Sequence, residues 1–348
     1  MISRKTLYFT APHEVQVKEE SLPRPKEDEV LVQTQYSGIS AGTELLVYEG
    51  HAPQNLAADD ALDSLSGSLS YPVKYGYSAV GTVTELGSHV QEEWLGAKVF
   101  SFQPHTSHFT ATPDALVRLP DALDTQSAVM LPNMETAVNL VLDASPRIGE
   151  RACVFGQGIV GLLTTALLSQ FPLGHLLTVE PNELRRQRSL QLGAQAAVAA
   201  WDSTKRTRTG ETTSSGTGQT GTGTQDADLA FEVTGVPAVL NDAISCVGYD
   251  GRVIVGSWYG TKQAPLDLGG SFHRGRKKII SSQVSTIAPS LQGRWSKARR
   301  MKEGIRWIER IDTQSLITDT FSHDNANEAY KNLSDGSNNN LQVVLKYN

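Results

Sequence analysis

The chain has 348 residues, and its 39% apolar content is enough for two domains with buried cores. Its net charge of −6 argues against a nucleic-acid-binding surface, which usually needs a basic excess. The N-terminal segment MISRKTLYF lacks the apolar run of a secretory signal, and no apolar stretch has the length of a membrane span. We therefore expect a cytoplasmic protein without membrane or nucleic-acid partners.

The first part of the chain, residues 1–125, is rich in predicted strands. Short segments such as EVQVKE, EVLVQTQYSGI and AVGTVTEL alternate apolar and polar residues between turns of Pro, Gly, Asp and Asn. This pattern predicts a β-rich domain of the small-barrel type. Residues 50–70 are small and polar, which predicts an exposed excursion from that domain.

Residues 126–287 have a different sequence pattern, in which predicted strands alternate with predicted helices. The order is RACVFGQGIVGLLTTALLSQF (strand, turn and helix), HLLTVEP (strand), ELRRQRSLQLGA (helix), DLAFEVTG (strand), VPAVLNDAISCV (helix) and GRVIVGSWYG (strand). Such alternation predicts a doubly wound parallel sheet of the Rossmann type. Residues 203–225 contain no apolar residue, which predicts a disordered insertion. Residues 288–348 return to a mixed pattern, so the predicted class is α/β with a second, β-rich domain.

The chain has two cysteines, Cys153 and Cys246, both in apolar surroundings. Neither has a second Cys or a His at metal-ligand spacing, which excludes a structural zinc knot built on them. Buried free thiols are the favoured interpretation, although a disulfide between the two remains open.

A glycine motif indicates a dinucleotide site. The segment CVFGQGIVG places Gly156, Gly158 and Gly161 as G-x-G-x-x-G between an apolar strand and a helix. The first glycine permits the tight turn, the second allows a pyrophosphate to approach the backbone, and the third permits close helix–strand packing. The next strand ends at Glu180, where a carboxylate can accept the ribose hydroxyls.

Glu180 and the residues that follow it indicate which dinucleotide binds. A carboxylate at Glu180 repels a 2′-phosphate and favours NAD(H). Arg185 and Arg186 lie one helical turn further on and can cradle that phosphate, so NADP(H) is the alternative.

The order of the domains resembles the medium-chain dehydrogenase/reductase superfamily, in which a GroES-like barrel domain surrounds a Rossmann domain. The segments that carry the resemblance include GTVTELGSHV, ALVRLPDALDTQSAVML, GERACVFGQGIVGLL and FEVTGVPAVL. The resemblance implies cofactor contacts along the Rossmann domain and near the linking helix. These additional candidates are Thr136, Ile159, Val160, Thr234, Gly235 and Gly256.

The positions of the catalytic zinc ligands are altered relative to that superfamily. Zinc-dependent members carry G-I-C-G-T-D where this chain has GISAGTE, so the cysteine falls on Ser40 or Ala41. The second ligand falls in the triplet Gly76-Tyr77-Ser78, and the third falls on Leu131. The four-cysteine structural loop is missing as well. The resemblance therefore implies an enzyme without zinc.

SGISAGTE, interpreted as a turn, and YPVKYGYSAVG are most similar to dehydrogenases that oxidise the hydroxyethyl group of bacteriochlorophyll precursors. Only the architecture and the reaction type are carried over from that subgroup. Thr43 matches the proton-relay threonine and is the first catalytic candidate, and Tyr77 can donate to a carbonyl oxygen or simply pack. Ser40 either contacts substrate or caps the turn, and Glu44 is expected to hold an arginine.

Further polar residues leave their roles open. His105 and His108 form an H-x-x-H pair, which is short of ligands for zinc, so His108 is retained as a candidate acid or base. Glu135 is either a base or a polar residue at a helix start. The basic run around Arg294, Lys297, Arg299 and Arg300 either recognises an anionic substrate or forms a solvated helix face.

Three functions follow from these features. The first is a zinc-free oxidoreductase that transfers hydride between NAD(H) and an alcohol or ketone. The alternatives are an NADPH-dependent enoyl or quinone reductase and a non-catalytic dinucleotide-binding sensor. The resemblance also implies a homodimer or homotetramer acting on a small-molecule substrate.

Overall fold

The computed structural model describes residues 1–53, 68–202, 206–207, 224–336 and 340–348. Most of the predicted excursion at 50–70 and most of the predicted insertion at 203–225 lie outside the described residues. The chain divides into two compact units, one formed by Met1–Glu135 with Met301–Asn348 and the other by Thr136–Arg300. We call them the β-rich unit and the Rossmann unit.

Strands dominate the start of the chain, and helices become frequent from its middle onward. The first half contains β1 (Ile2–Ala11), β2 (Glu14–Leu22), β3 (Val30–Ile39), α1 (Ala41–Tyr48), β4 (Ala79–Leu86), β5 (Lys98–Ser101), β6 (His108–Ala111), β7 (Val117–Arg118), α2 (Leu131–Ala144), β8 (Arg151–Phe155) and α3 (Ile159–Leu168). The second half contains β9 (His175–Val179), α4 (Glu183–Gln191), β10 (Ala196–Val198), β11 (Arg206–Thr207), β12 (Thr224–Gln225), β13 (Ala227–Glu232), α5 (Val239–Cys246), β14 (Val247–Val255), α6 (Ser271–Arg274), β15 (Lys278–Ser281), α7 (Lys297–Ile308), β16 (Ile317–Ser322), α8 (Ala326–Ser334) and β17 (Gln342–Lys346).

The β-rich unit is built on a seven-stranded sheet. Its order is β16-β17-β3-β4-β5-β7, with β6 paired to β3. All of these pairs are antiparallel except β16 with β17. The hairpin of β1 and β2 joins this unit through the bridges Thr6–Thr106 and Phe9–Val73. Antiparallel strands with one buried face produce the alternating pattern seen in the sequence.

The Rossmann unit contains a six-stranded sheet in which every pair is parallel, in the order β10-β9-β8-β13-β14-β15. The strand order reverses between β8 and β13, which is the switch point where ligands of such sheets bind. The short apolar runs of β8 and β9 are buried as central parallel strands require.

Each unit has its own hydrophobic core residues. One core cluster of the β-rich unit gathers aromatic residues such as Phe9, Tyr48 and Tyr330, and Tyr77 packs against it. In the Rossmann unit, Cys153 and Cys246 are buried and free, which confirms the sequence-based preference for free thiols.

The predicted α/β class, with a β-rich domain and a doubly wound parallel sheet, is confirmed. Among the described residues, no helix combines the length and the apolar character that a membrane crossing requires.

Candidate active site and dinucleotide site

The glycine turn, which we define as Gly156 to Gly161, lies at the switch point of the parallel sheet. Gly156 has a φ of +91°, and a Cβ there would lie 2.9 Å from Cγ2 of Thr234, which follows β13. A Cβ on Gly161 would lie 2.0 Å from the carbonyl oxygen of Gly156. Both positions therefore require glycine for the chain itself to pack.

Gly158 differs from its two neighbours in the motif. It is the N-cap residue of α3, and a Cβ at this position would meet no atom within 4 Å. The space beside Gly158 is therefore open, and the N–H groups at a helix N-terminus favour an anion. Ile159 and Val160 form the first turn of α3, and both are partly buried.

Glu180 is tied to the glycine turn by its carboxylate. Its Oε2 accepts the backbone N–H of Gln157 at 2.7 Å, and its Oε1 accepts that of Asn182 at 3.0 Å. The side chain is 5% exposed, so the backbone donors hold it in one position. Each oxygen keeps a second lone pair for another donor.

The remaining predicted cofactor residues lie mostly at the carboxyl ends of neighbouring strands. Thr234 and Gly235 follow β13, and Gly256 follows β14 and donates its N–H to Glu232 O at 2.9 Å. Gly235 has a φ of +69° and open space beside it. Thr136 lies instead on α2, where the Rossmann unit begins.

Glu232 and Tyr259 are residues that sequence reasoning missed. The buried carboxylate of Glu232 accepts hydrogen bonds from Thr234 N–H and Oγ1 and from the Tyr259 hydroxyl. Burial and the bond to Glu232 raise the pKa of Tyr259, so the phenol keeps its proton and remains a donor. This arrangement fixes the loop after β13, and only the FEVTG segment hinted at it.

Three hydroxyl groups meet in the β-rich unit at the residues predicted to be catalytic. The Tyr77 hydroxyl is hydrogen-bonded to Oγ of Ser40 and lies 3.3 Å from Oγ1 of Thr43. All three side chains are partly exposed. We call Ser40, Thr43 and Tyr77 the hydroxyl cluster, and its groups can donate to or accept from an oxygen of a bound molecule.

The segment SGISAGTE is not a turn, contrary to the sequence-based interpretation. Ser37 to Ile39 end strand β3, Ser40 is the N-cap residue of α1, and the helix runs from Ala41 to Tyr48. Ser40 makes no side-chain capping bond, so its hydroxyl serves the hydroxyl cluster instead.

The prediction that Glu44 holds an arginine is wrong. Its buried carboxylate accepts hydrogen bonds from the Ser40 N–H at 2.8 Å, from the Tyr330 hydroxyl and from His105 Nε2 at 2.9 Å. Burial and the nearby Glu44 charge raise the pKa of Tyr330 well above its usual value, which keeps that phenol a donor.

His105 and His108 do not act together, because they belong to different hydrogen-bonded groups. His105 is fully buried against Glu44 and Ser37. His108 Nδ1 lies 3.1 Å from Ser107 Oγ, and the ring lines a cavity of about 190 Å³ with Lys5, His323 and Asp324. Burial lowers the pKa of His108.

Arg300 does not recognise an anion, because it is a structural residue. Its side chain is 1% exposed, and its guanidinium donates to Asn139 Oδ1 and to the carbonyl oxygens of Val284 and Thr286. Arg299 stacks on the Trp295 ring at 4.1 Å. The predicted basic site therefore loses one of its members.

The residues at the expected zinc positions do not supply a zinc donor set. Ser40 and Tyr77 are hydrogen-bonded to each other, and Leu131 is a fully buried apolar side chain. Zinc sites are built from Cys, His and carboxylate ligands. Within the described ranges, no group of three or more such side chains is arranged to hold a metal.

Comparisons with known proteins show which families and structures the chain is similar to. Residues 160–303 match the family model of the zinc-binding dehydrogenases. (R,R)-butanediol dehydrogenase of Bacillus subtilis is 25% identical over 325 residues, which cover 85% of this chain and 88% of that protein.

Two solved structures share the fold over nearly the whole chain. A zinc-binding dehydrogenase of Sinorhizobium meliloti bound to NADP has a TM-score of 0.75 at 16% identity, with 99% of this chain and 100% of that chain covered. An alcohol dehydrogenase of Escherichia coli CFT073 complexed with NADH has a TM-score of 0.75 at 17% identity, with 99% of each chain covered. The comparisons confirm the predicted oxidoreductase class and the predicted resemblance to the zinc-type alcohol dehydrogenase-like medium-chain dehydrogenase/reductase superfamily.

Proposed function

We propose that this chain is a zinc-independent oxidoreductase that transfers hydride between NAD(H) and a small alcohol or ketone. The observation that carries the proposal is the open position of Gly158 at the N-terminus of α3, beside a carboxylate fixed on the same turn. The hydroxyl cluster of the β-rich unit supports the second half of the proposal, because it offers donors for a substrate oxygen.

A dinucleotide fits the residues at the switch point. Gly158 leaves the space that a pyrophosphate needs, and the first turn of α3 presents N–H groups to it. Glu180 would accept the ribose hydroxyls through its remaining lone pairs, and Gly235 leaves open space after β13. When bound, the nicotinamide ring supplies the hydride chemistry that no side chain can supply.

The surroundings of Glu180 favour NAD(H) over NADP(H). A carboxylate at this position repels a 2′-phosphate. Arg186 Nη1 donates to the carbonyl oxygens of Glu180 and Pro181 at 2.8 and 2.7 Å, so this nitrogen already has backbone partners. Recruiting this nitrogen to a phosphate would break these two hydrogen bonds.

The chemistry of the donor set supports zinc independence. A hydroxyl, a phenol and a leucine occupy the positions where the superfamily places its catalytic ligands. Without a Lewis acid, hydrogen-bond donors must stabilise the charge that develops on the substrate oxygen. In the proposed reaction, the Tyr77 hydroxyl donates a hydrogen bond to the substrate oxygen. When no substrate is bound, the phenol donates instead to Ser40 or Thr43, and these two hydroxyls keep it in position.

Several finer predictions belong to this proposal. The proposed reaction gives no role to His108, the other predicted acid or base, because its partners lie outside the hydroxyl cluster, and the homodimer or homotetramer and the cytoplasmic location remain predictions. Sedimentation velocity of the purified protein checks the number of subunits.

The decisive test is a fluorescence titration with NADH and, separately, NADPH on three proteins. They are the wild type, Gly158→Ala and the control Gly293→Ala, whose added Cβ also meets no atom within 4 Å. We expect NADH to bind at least about tenfold more tightly than NADPH, which corresponds to about 1.4 kcal/mol. Gly158→Ala should raise the Kd for NADH without changing Tm, and Gly293→Ala should change neither.

The outcomes separate the candidate functions. Preference for NADPH would favour the enoyl or quinone reductase. Tight NADH binding without oxidation of any alcohol in a panel of secondary alcohols and polyols, butane-2,3-diol included, would favour the sensor. Absence of binding for both nucleotides would refute the dinucleotide site itself.

A further inference from the structure

His105 bridges the two sides of the junction between β3 and α1. Its Nδ1 lies 2.6 Å from Oγ of Ser37 in β3, and its Nε2 lies 2.9 Å from Oε2 of Glu44 in α1. All three side chains are fully buried. Ser40 lies between Ser37 and Glu44 in the chain, so the imidazole holds the backbone on both sides of one member of the hydroxyl cluster.

The same imidazole lies against the segment that carries Tyr77. Gly76 has a φ of +109°, and a Cβ at this position would lie 2.6 Å from Cδ2 and 2.7 Å from Nε2 of His105. The backbone N–H of His105 also donates to Tyr75 O at 3.3 Å. The ring therefore packs where any residue other than glycine would collide with it, immediately before Tyr77.

Glu44 transmits this arrangement to Ser40. Its Oε1 accepts the Ser40 N–H at 2.8 Å, which satisfies the donor at the start of α1. The Ser40 hydroxyl makes no capping bond and instead meets Tyr77. A shift of Glu44 would release the Ser40 N–H and loosen the residue that carries this hydroxyl.

The hydrogen bonds of His105 form a complete set with the proton on Nε2. The Tyr347 hydroxyl, 2.9 Å from Ser37 Oγ, then donates to Ser37, Ser37 donates to Nδ1, and Nε2 donates to Glu44. Each of these buried groups therefore has a hydrogen-bond partner. Such a chain allows the ring only one orientation, which is what a positioning residue requires.

We propose that His105 is the positioning residue of the hydroxyl cluster, because it fixes the junction that carries Ser40 and Thr43 and the segment that carries Tyr77. It does not touch the substrate and acts only through Glu44, Ser37 and Gly76. The proposal rests on the proposed function, in which the hydroxyl cluster is catalytic. It extends that function, because it names the group that orients the hydroxyl cluster in place of a metal ion.

The test compares His105→Gln with His105→Leu. The amide of glutamine can donate to Glu44 and accept from Ser37, whereas leucine fills a similar volume and can do neither. Two readouts are used, namely hydrogen exchange at the Ser40 amide by NMR and kcat for the alcohol that the wild type oxidises best with NAD⁺. The Kd for NADH is measured in parallel.

We expect His105→Leu to accelerate exchange at Ser40 and to lower kcat, each by at least about tenfold. We expect His105→Gln to remain within about threefold of the wild type in both readouts, because it restores both hydrogen bonds. The Kd for NADH should not change in either variant. Val99→Ala is the control for a buried truncation in another core of the same unit, and it should lower Tm without moving either readout.

The proposal is wrong if the glutamine and leucine variants lose activity and exchange protection equally, or if the leucine variant behaves like the wild type. Should His105→Leu fail to fold, Ser37→Ala removes one of the two bonds and must still accelerate exchange at Ser40. The exchange readout needs no substrate, so it tests His105 even if the panel yields no turnover and the proposed function fails.

Discussion

The glycine turn and the hydroxyl cluster are assembled in opposite ways. The glycine turn is made of backbone within six consecutive residues, and its geometry depends on the absence of side chains at Gly156 and Gly161. The hydroxyl cluster is made of side chains from two separate segments, with Ser40 and Thr43 on one and Tyr77 on the other.

The difference determines how each region responds to mutation. A site built from backbone is disrupted when a substitution adds a side chain, because a close backbone contact cannot relax. A site built from side chains fails when an atom is removed, and its supporting residues are as important as the reacting groups. Substitutions in the two regions should therefore differ in what they damage, and the largest effect is expected in the glycine turn.

That largest effect is expected for Gly161→Ala. Its Cβ would lie 2.0 Å from the Gly156 carbonyl oxygen, so α3 must move away from β8. We expect a loss of about 3 kcal/mol in the free energy of unfolding, measured by urea denaturation. Gly158→Ala is the matched variant, and it should unfold like the wild type while binding NADH more weakly. Equal destabilisation by both substitutions would contradict the distinction between a packing glycine and a ligand glycine.

Removal of one oxygen from the hydroxyl cluster should lower kcat and leave the stability of the fold unchanged. We expect Tyr77→Phe to lower kcat by about a hundredfold, which is about 2.7 kcal/mol of transition-state stabilisation. Thr43→Val should have a smaller effect in the same direction, and the Kd for NADH should remain unchanged. Tyr36→Phe in β3 is the control tyrosine. Unchanged turnover in both Tyr77→Phe and Thr43→Val would refute the assignment of the active site.

A second cluster of side chains in the β-rich unit, formed by Glu20 and its hydrogen-bond partners, has a structural role. Glu20 accepts hydrogen bonds from Tyr8, Thr6, Arg4 and Lys74. Although burial opposes ionisation, the hydrogen bonds from Tyr8, Lys74 and Thr6 lower its pKa to about 2, against 4.5 for an unperturbed side chain.

The folded-state pKa of Glu20 is depressed, so its contribution to stability is present above pH 4.5 and is lost as the pH falls toward 2. We expect Glu20→Gln to lower the free energy of unfolding by about 2 kcal/mol at pH 7 and to leave kcat unchanged. The difference between variant and wild type should shrink in urea denaturation at pH 3. A difference independent of pH would show that packing, not charge, accounts for the effect.

The smallest effect is expected for His108→Gln. His108 Nδ1 lies 3.1 Å from Ser107 Oγ, and the ring lines a cavity to which no member of the hydroxyl cluster contributes. We expect kcat to fall by less than about fivefold, whereas a true acid–base group contributes about a hundredfold or more. A hundredfold loss, with the acidic limb of the pH profile removed, would restore His108 as a catalytic residue.

The two regions also differ in how far the sequence predicts them. G-x-G-x-x-G between an apolar strand and a helix is a local signal, and Glu180 ends the next strand, so the glycine turn and its parallel sheet were predictable. The bonds from Glu180 to Gln157 and Asn182 depend on the exact turn geometry and were not.

The support of the hydroxyl cluster could not be predicted, because it is a property of the tertiary fold. Ser40, Thr43 and Tyr77 were identifiable through the resemblance, whereas Glu44 was wrongly expected to hold an arginine and His105 had no predicted role. Ser37, His105 and Tyr347 come from distant segments that meet only when the sheet forms. The only local hint was a glycine immediately before Tyr77.

In the proposed enzyme, the hydroxyl cluster takes the place of a catalytic metal ion. The most direct measurement is turnover of the best alcohol substrate with NAD⁺ after exhaustive dialysis against EDTA, with the zinc content of the same sample determined by mass spectrometry. We expect undiminished kcat at far less than one zinc per chain. Activity that disappears with the metal and returns on addition of Zn²⁺ would contradict this expectation.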